Sequence, residues 1–264
     1  MQSNLYTPLR TRGAALRGAL AVVLLAAAVS PLSAATQSYQ TRYDISLYGL
    51  PVGRAIFESR FEGQGFAVSG RFSSAGIARI FDRTDGTVTV MGRFGRGASR
   101  PERYTLDYRS GRKKQMTEIR FARDRVAETV NRPELKKRGS DWVPLGQRHL
   151  SGVVDPLSAL MLPASDPERV CNRTVRVYDG ETRADIVLQP AAGSESFAGA
   201  TITCRARFVP VAGYRKNHST IRFLRDRGDI RIGFQPVAGG GIYSPVEATI
   251  ATKVGTVHIK ARSM

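Results

Sequence analysis

Few residues of the kinds that anchor common chemistries occur in this chain. It has two cysteines, three histidines and one tryptophan in 264 residues. His149, His218 and His258 are scattered, with no ligand-like spacing to either cysteine, and Cys-x-x-Cys is absent. That excludes the usual zinc ribbons and thioredoxin-like redox pairs. No Gly-x-Ser-x-Gly supports a hydrolase elbow. The run Gly239-Gly240-Gly241 lacks the lysine and the strand-to-helix context of a phosphate loop, and reads as a turn between strands. Ser158 reads as an exposed or capping hydroxyl, and nothing in the sequence brings Asp44 and Asp155 together as a carboxylate pair. Aromatic residues alternate into the expected core and do not interleave with basic ones, as nucleic-acid platforms require. No catalytic residue, cofactor or metal ligand emerges, so the chain reads as non-catalytic, with no nucleic acid as partner.

Long apolar runs are also missing. The longest, Gly18 to Val29, is shorter than the roughly 20 residues a spanning helix needs. It follows Arg10, Arg12 and Arg17 and precedes Ser33-Ala34-Ala35, the pattern of a secretory signal peptide cleaved after Ala35. With no cysteine near that site, a lipid anchor is not expected. Residues 36–264 then read as one exported, soluble periplasmic domain with no transmembrane span.

Acidic residues are scarce beside basic ones, 22 against 40. Three of the 40 and none of the 22 precede residue 36, which leaves a net charge of +15. Such a balance favours anionic partners, a lipid or the anionic envelope surface among them. Only seven of the 40 are lysines, and an arginine excess also follows from GC-rich codon usage. Arg112-Lys113-Lys114 and Lys136-Lys137-Arg138 are the candidate anion-contacting clusters; solvated hairpin tips are the competing reading.

Period-two alternation fills most of what remains. Tyr43, Ile45 and Leu47 share one face, as do Ala55, Phe57 and Phe61, then Phe66, Val68, Gly70 and Phe72. Gly49-Leu50-Pro51 and Gly63-Gln64-Gly65 join these three into a meander. Thr87 to Phe94 forms the next strand, followed by Tyr104, Leu106 and Tyr108, and by Thr117, Ile119 and Phe121. Later strands carry Ile202, Cys204, Ala206 and Phe208, then Ile230, Ile232 and Phe234, Val246, Ala248 and Ile250, and Val257 and Ile259. Pro210 to Gly213 recurs as Pro236 to Gly239, which reads as a pair of similar turns. The pattern predicts an all-β fold of about a dozen antiparallel strands in one curved or closed sheet, barrel-like or half-barrel-like.

One helix interrupts it. Asp155 is a good N-cap, Pro156 suits the first helical position, and Pro163 stops the run. Leu157, Leu160 and Met161 share one face, so the spacing predicts about two turns packed against the sheet. The segment Ser73 to Asp82 reads equally as helix or loop. Cys171 and Cys204, in an exported chain, are most simply a disulfide.

The opening Tyr43-Asp44-Ile45 through Gly49-Leu50-Pro51-Val52-Gly53-Arg54-Ala55 resembles the start of the bacterial domain-of-unknown-function family 3108. The same resemblance extends to Asp155-Pro156-Leu157-Ser158-Ala159-Leu160, to the Tyr178-Asp179-Gly180 hairpin, and to Pro245-Val246-Glu247-Ala248 with Gly255-Thr256-Val257. It implies an exported β-rich protein of Gram-negative bacteria with no established activity, and carries no catalytic residue over. The chain is also similar in outline to periplasmic lipoprotein carriers, whose half-barrel sheets cradle acyl chains under a helix. The expected function is a non-catalytic envelope protein binding a lipid or amphiphile. The alternatives are a structural or partner-binding periplasmic protein and, more remotely, an enzyme acting on cell-wall polymer.

The cysteine reading is checked by mass. Exported protein should show Cys171 and Cys204 oxidised and bonded to each other, closing a loop that stabilises the fold by roughly 3–4 kcal/mol on the chain-entropy model. Two free thiols would refute it.

Overall fold

Alternating apolar residues commit each strand to one buried face, and tight turns make each strand pair with the next. The computed structural model describes residues 36–263 apart from 82, 96 and 238; the expected signal peptide, 1–35, lies outside the described residues. Seven strands come first: β1 (Gln37–Leu47), β2 (Leu50–Glu62), β3 (Gly65–Ser74), β4 (Thr84–Gly95), β5 (Ala98–Ser110), β6 (Lys113–Ala122) and β7 (Arg125–Arg132). The two-residue strand β8 (Leu162–Pro163) precedes β9 (Arg173–Tyr178), β10 (Arg183–Pro190), β11 (Ile202–Ala212), β12 (Ile230–Val237), β13 (Ile242–Thr252) and β14 (Gly255–Ser263). They form a single antiparallel sheet in the order β7-β6-β5-β4-β3-β2-β1-β14-β13-β12-β11-β10-β9, with β8 paired to β13. The chain is thus two meanders joined where the last strand pairs with the first.

The sheet does not close on itself: among the described residues β7 and β9 share no ladder. Residues 151–154 fill the seam. Gly152 N–H donates to Asp124 O at 2.6 Å on the β7 side. On the other side Val154 N–H donates to Arg176 O at 2.8 Å, and Tyr178 N–H to Val154 O at 2.9 Å. Side chains tighten the join, with Asn131 Nδ2 donating to Gly180 O at 3.0 Å.

Two apolar clusters form on the concave face. One gathers β2–β6 residues such as Phe61, Phe66, Val90, Tyr104 and Ile119 with Leu157, Met161 and Tyr178. The other surrounds the Cys171–Cys204 disulfide with Leu162, Val170, Leu188, Phe234 and Tyr243. Cys204 lies on the apolar face of its strand, as its alternation required.

Among the described residues three short α-helices accompany the sheet: α1 (Ala78–Phe81), α2 (Glu168–Cys171) and α3 (Ser219–Arg227). The expected two-turn helix after Asp155 is corrected to a single tight turn. Asp155 is a true cap: its Oδ1 accepts the N–H groups of Leu157 and Ser158, each at 2.9 Å. Ala159 N–H bonds back to Asp155 O, after which the bonds tighten to 3-10 type over Ser158–Leu160. The helix ends there because Leu162 and Pro163 are taken into the sheet against Tyr243 and Ile242. Pro210 to Ala212, read as a turn, is instead the end of β11, with the turn beginning at Gly213.

The shortened turn separates residues that a two-turn helix would have treated alike. Leu157 is 9% exposed and Leu160 38%. Leu157→Ala should cost about 2–5 kcal/mol in denaturant unfolding, and Leu160→Ala about 1 kcal/mol or less. Equal losses would contradict this placement.

Candidate ligand-binding cavity

The concave face is apolar from one side of the sheet to the other, but side chains do not fill it. Phe57, Phe72 and Phe66 stand directly across the ladder from Gly70, Gly86 and Gly92. Each ring occupies the space a side chain would need. A Cβ on Gly70 would meet Phe57 Cε1 at 2.4 Å, and one on Gly86 would meet Phe72 Cζ at 2.6 Å. Glycine there lets the rings lie down on the neighbouring strand and the sheet curve tightly.

Between the two clusters remains a hollow of about 460 Å³. Its wall is Tyr43, Ile45, Ala55, Phe57, Val68 and Phe72 on one side, with Ile232, Ala248, Ile250 and Ile259 on the other. The capped turn contributes Leu157, Leu160 and Met161, so the partly exposed Leu160 lines the hollow instead of sealing it. The Tyr43 hydroxyl is committed to Pro245 O at 2.6 Å, and burial pushes that phenol up to about 12. The wall therefore offers hydrocarbon surface and a few hydroxyls from Thr41, Ser59 and Ser244. A second apolar hollow of about 600 Å³, lined by Ile45, Leu47, Val52, Phe72 and Ile77, adjoins it through Ile45 and Phe72. A larger groove of about 1230 Å³, with a mixed polar and apolar wall, lies along the seam and meets the first hollow at Met161. Its arginines are largely engaged: Arg169 with Asp166 at 3.1 Å, Arg173 on the carbonyls of Arg169 and Gly97. The apolar hollow is the better candidate, because an apolar concavity with few polar groups is what small-molecule sites share.

Asp155 and Ser158, at the root of the turn, are fully buried. Burial pushes the Asp155 carboxyl up to about 6, against the pull of Ser158 and the two capping N–H groups. The Ser158 hydroxyl is near enough to temper that rise, yet among the described residues neither Asp155 Oδ2 nor Ser158 Oγ, both buried, has a hydrogen-bond partner. Tyr104 is raised by its own burial and then by Asp155 and Asp179 nearby. Ser158 is therefore not the exposed hydroxyl that its place on a short helix suggested. Asp44, for its part, is on the outer face bonded to Arg262 at 2.7 Å, away from Asp155.

The two basic clusters leave the sheet at the same end. Arg112 is in the exposed β5–β6 turn and Lys113 and Lys114 open β6, all three exposed, and Lys136 and Lys137 are exposed beyond β7. Arg138 differs: it donates to Glu181 at 3.1 Å and its guanidinium stacks 4.7 Å over Trp142. Among the described residues no three His, Cys, Asp or Glu side chains gather in a way that would hold a metal ion.

These features define a class: a strongly curved, open antiparallel β-sheet keeping an apolar hollow behind one capped turn. The profile of the family described as "Protein of unknown function (DUF3108)" matches residues 42–262, and the chain belongs to that family. No curated protein matches it. Among solved structures it is similar to the beta-barrel-like protein of domain of unknown function DUF1849 from Brucella abortus, at 10% identity and a TM-score of 0.45, covering 88% of this chain and 98% of that one.

The capped turn gives a pH signature. The folded value of Asp155 lies above the ordinary carboxylate value of 3.8, so the folded state holds this proton more tightly than the unfolded one. That contribution is fully present below about pH 4 and is lost as pH rises through 6. For a shift of about two units it amounts to roughly 3 kcal/mol. The stability of wild type minus that of Asp155→Asn should fall by about that amount between pH 4 and 7. A difference independent of pH would contradict the buried carboxyl.

Proposed function

We propose that this protein is an exported, non-catalytic carrier that holds the apolar part of a lipid or other amphiphile in the hollow behind the capped turn. The carrying observation is the hollow itself. Its 460 Å³ lies within the range of small-molecule sites, about 300–1,000 Å³. A purely structural domain gains nothing from an apolar hollow open to water, since apolar surface left in solvent forgoes the stabilisation that burial gives. Each methylene buried there contributes about 0.8 kcal/mol to binding, so an acyl chain is well matched to a wall with few polar groups.

The non-catalytic reading rests on the chemistry of the interior. Within the buried polar pair, Ser158 Oγ and Asp155 Oδ2 make no hydrogen bond among the described residues, and Asp155 spends its other oxygen on capping. A nucleophile needs a base within hydrogen-bond reach. Periplasmic placement rests on the N-terminal signal pattern and on the disulfide, which an oxidising compartment would maintain.

The test is saturable uptake of a fluorescent fatty acid, such as dansylaminoundecanoic acid, in detergent-free buffer. Wild type should bind it. Ala248→Phe, which places a ring in the hollow, should weaken binding tenfold or more while the melting temperature holds or rises. A wild type with no saturable uptake, or a variant that binds equally well, would contradict the proposal.

A further inference from the structure

One end of the sheet carries most of the large apolar side chains that the fold leaves in water. The antiparallel registers bring the β1–β2, β3–β4, β5–β6 and β13–β14 connections to this end. Tyr48 at the first is 75% exposed and Val254 at the last 65%; Leu50 and Ile77 are exposed beside them. They form one patch. A Cβ on Gly255 would meet the Tyr48 ring at 2.5 Å, and one on Gly76 would meet Pro51 O at 2.3 Å, so all three apolar connections touch or nearly touch.

Tyr48 is the most telling. With Gly49 it makes a two-residue hairpin turn in which both residues have positive φ, 53° and 76°. Asn-Gly or Asp-Gly is the usual choice there, and a bulky side chain in that conformation is strained. The strain holds an aromatic ring out at the tip, and observed strain of this kind marks functional positions. The second apolar hollow opens among these connections, with Ile77 and Leu47 in its wall, and leads through Ile45 and Phe72 to the ligand cavity.

Charge completes the pattern. The turns 48–49, 75–83, 111–112 and 253–254 hold Arg79, Arg83, Arg112 and Lys253 against a single acid in the sequence, Asp82. None of the four makes an ion pair among the described residues. The Arg83 carbonyl accepts the Gly111 N–H, tying two of these basic turns together. An apolar tip bearing tyrosine and ringed by these cations matches the layers of an anionic bilayer surface: phosphate outside, hydrocarbon beneath.

We propose that this rim docks on an anionic lipid bilayer, with Tyr48, Leu50 and Val254 inserted among the headgroups, and that ligand passes between membrane and cavity through the hollow beside Ile77. The inference rests on the lipid-binding reading above and adds where and on what surface exchange occurs.

A position-specific probe tests it in the full protein. The native cysteines are bonded to each other, so Val254→Cys supplies a single labelling site for nitrobenzoxadiazole. Gln64→Cys, in the β2–β3 turn at the opposite end, is the control. With vesicles of phosphatidylethanolamine and phosphatidylglycerol, the probe at 254 should shift to the blue and the probe at 64 should not. Phosphatidylcholine vesicles should give little shift at either, and added salt should reverse the effect as the screening length shortens. Replacing Arg79, Arg83, Arg112 and Lys253→Gln together, read by vesicle flotation, should weaken binding about fivefold per charge. Tyr48→Ser with Leu50→Ser should weaken it with all charges retained. Neither set touches the cavity, so both should take up free dansylaminoundecanoic acid like wild type. Uptake without any shift at 254 would overturn docking and leave the ligand reading standing; loss of both would overturn both. A shift at 64 alone overturns the assignment of the end. A shift at 254 that depends on protein concentration without vesicles assigns the rim to a second copy of the chain, and also overturns it.

Discussion

The structure depends on how an open sheet is kept from being open. Strands β7 and β9 are edges with unpaired backbone groups, a standing invitation to aggregation. Among the described residues they share no ladder; Tyr178 Oη of β9 donates to Thr129 Oγ1 of β7 at 3.4 Å, and the backbone join is made by a third piece of chain, residues 151–154, which bonds Asp124 on one side and Arg176 and Tyr178 on the other. The next residue is Asp155, whose carboxyl caps the turn that places Leu157 and Met161 over the hollow. Seam, cap and lid are therefore one short covalent run. A change in any of them is felt by the other two, and the buried oxygens of Asp155 and Ser158 lie at the centre of that run.

Curvature is the second constraint. An antiparallel meander of this width flattens or splits unless something bends it. Here the bending is done by phenylalanine rings lying across glycines on adjacent strands, Phe57 on Gly70, Phe72 on Gly86 and Phe66 on Gly92. On the opposite side the disulfide and the short helix α2 hold β10 to β12 in a separate cluster. The two clusters meet at the turn but do not merge. The volume between them is what an amphiphile would occupy, and the basic, apolar-tipped rim is at the same end as the neighbouring hollow.

Much of this was legible in the sequence because alternation is a local signal. The strands around Tyr43, Phe57, Val68, Ile119, Cys204 and Ile232 could be read directly, as could the Asp155 cap and the cysteine pair. What was not legible had a physical reason. In β7 only Val126 is buried, so an edge strand with one apolar anchor gave no pattern. Helix α3 has no fully buried residue and no side-chain cap, and its existence depends on packing against β11 and β13. The helix after Asp155 is one turn where spacing suggests two, because the run up to the Pro163 stop is not all helical: Leu162 and Pro163 pair with Tyr243 and Ile242 of β13, which ends the turn at Leu160. The hollow was the hardest of all. It follows from which phenylalanine faces which glycine, and that requires the register. The basic clusters were seen in sequence, but not that Arg138 is committed to Glu181 and Trp142 while Arg79, Arg83 and Lys253, at the apolar rim, make no ion pair among the described residues.

The central claim, that the interior holds an amphiphile, is tested most directly by native mass spectrometry of the protein isolated from its own cells without detergent. The account predicts a bound species of lipid-like mass that is released on unfolding and recovered in organic extract, and that is absent when Ala248 is replaced by phenylalanine. A wild-type protein that sprays as the bare chain, with nothing recovered from its extract, would contradict it.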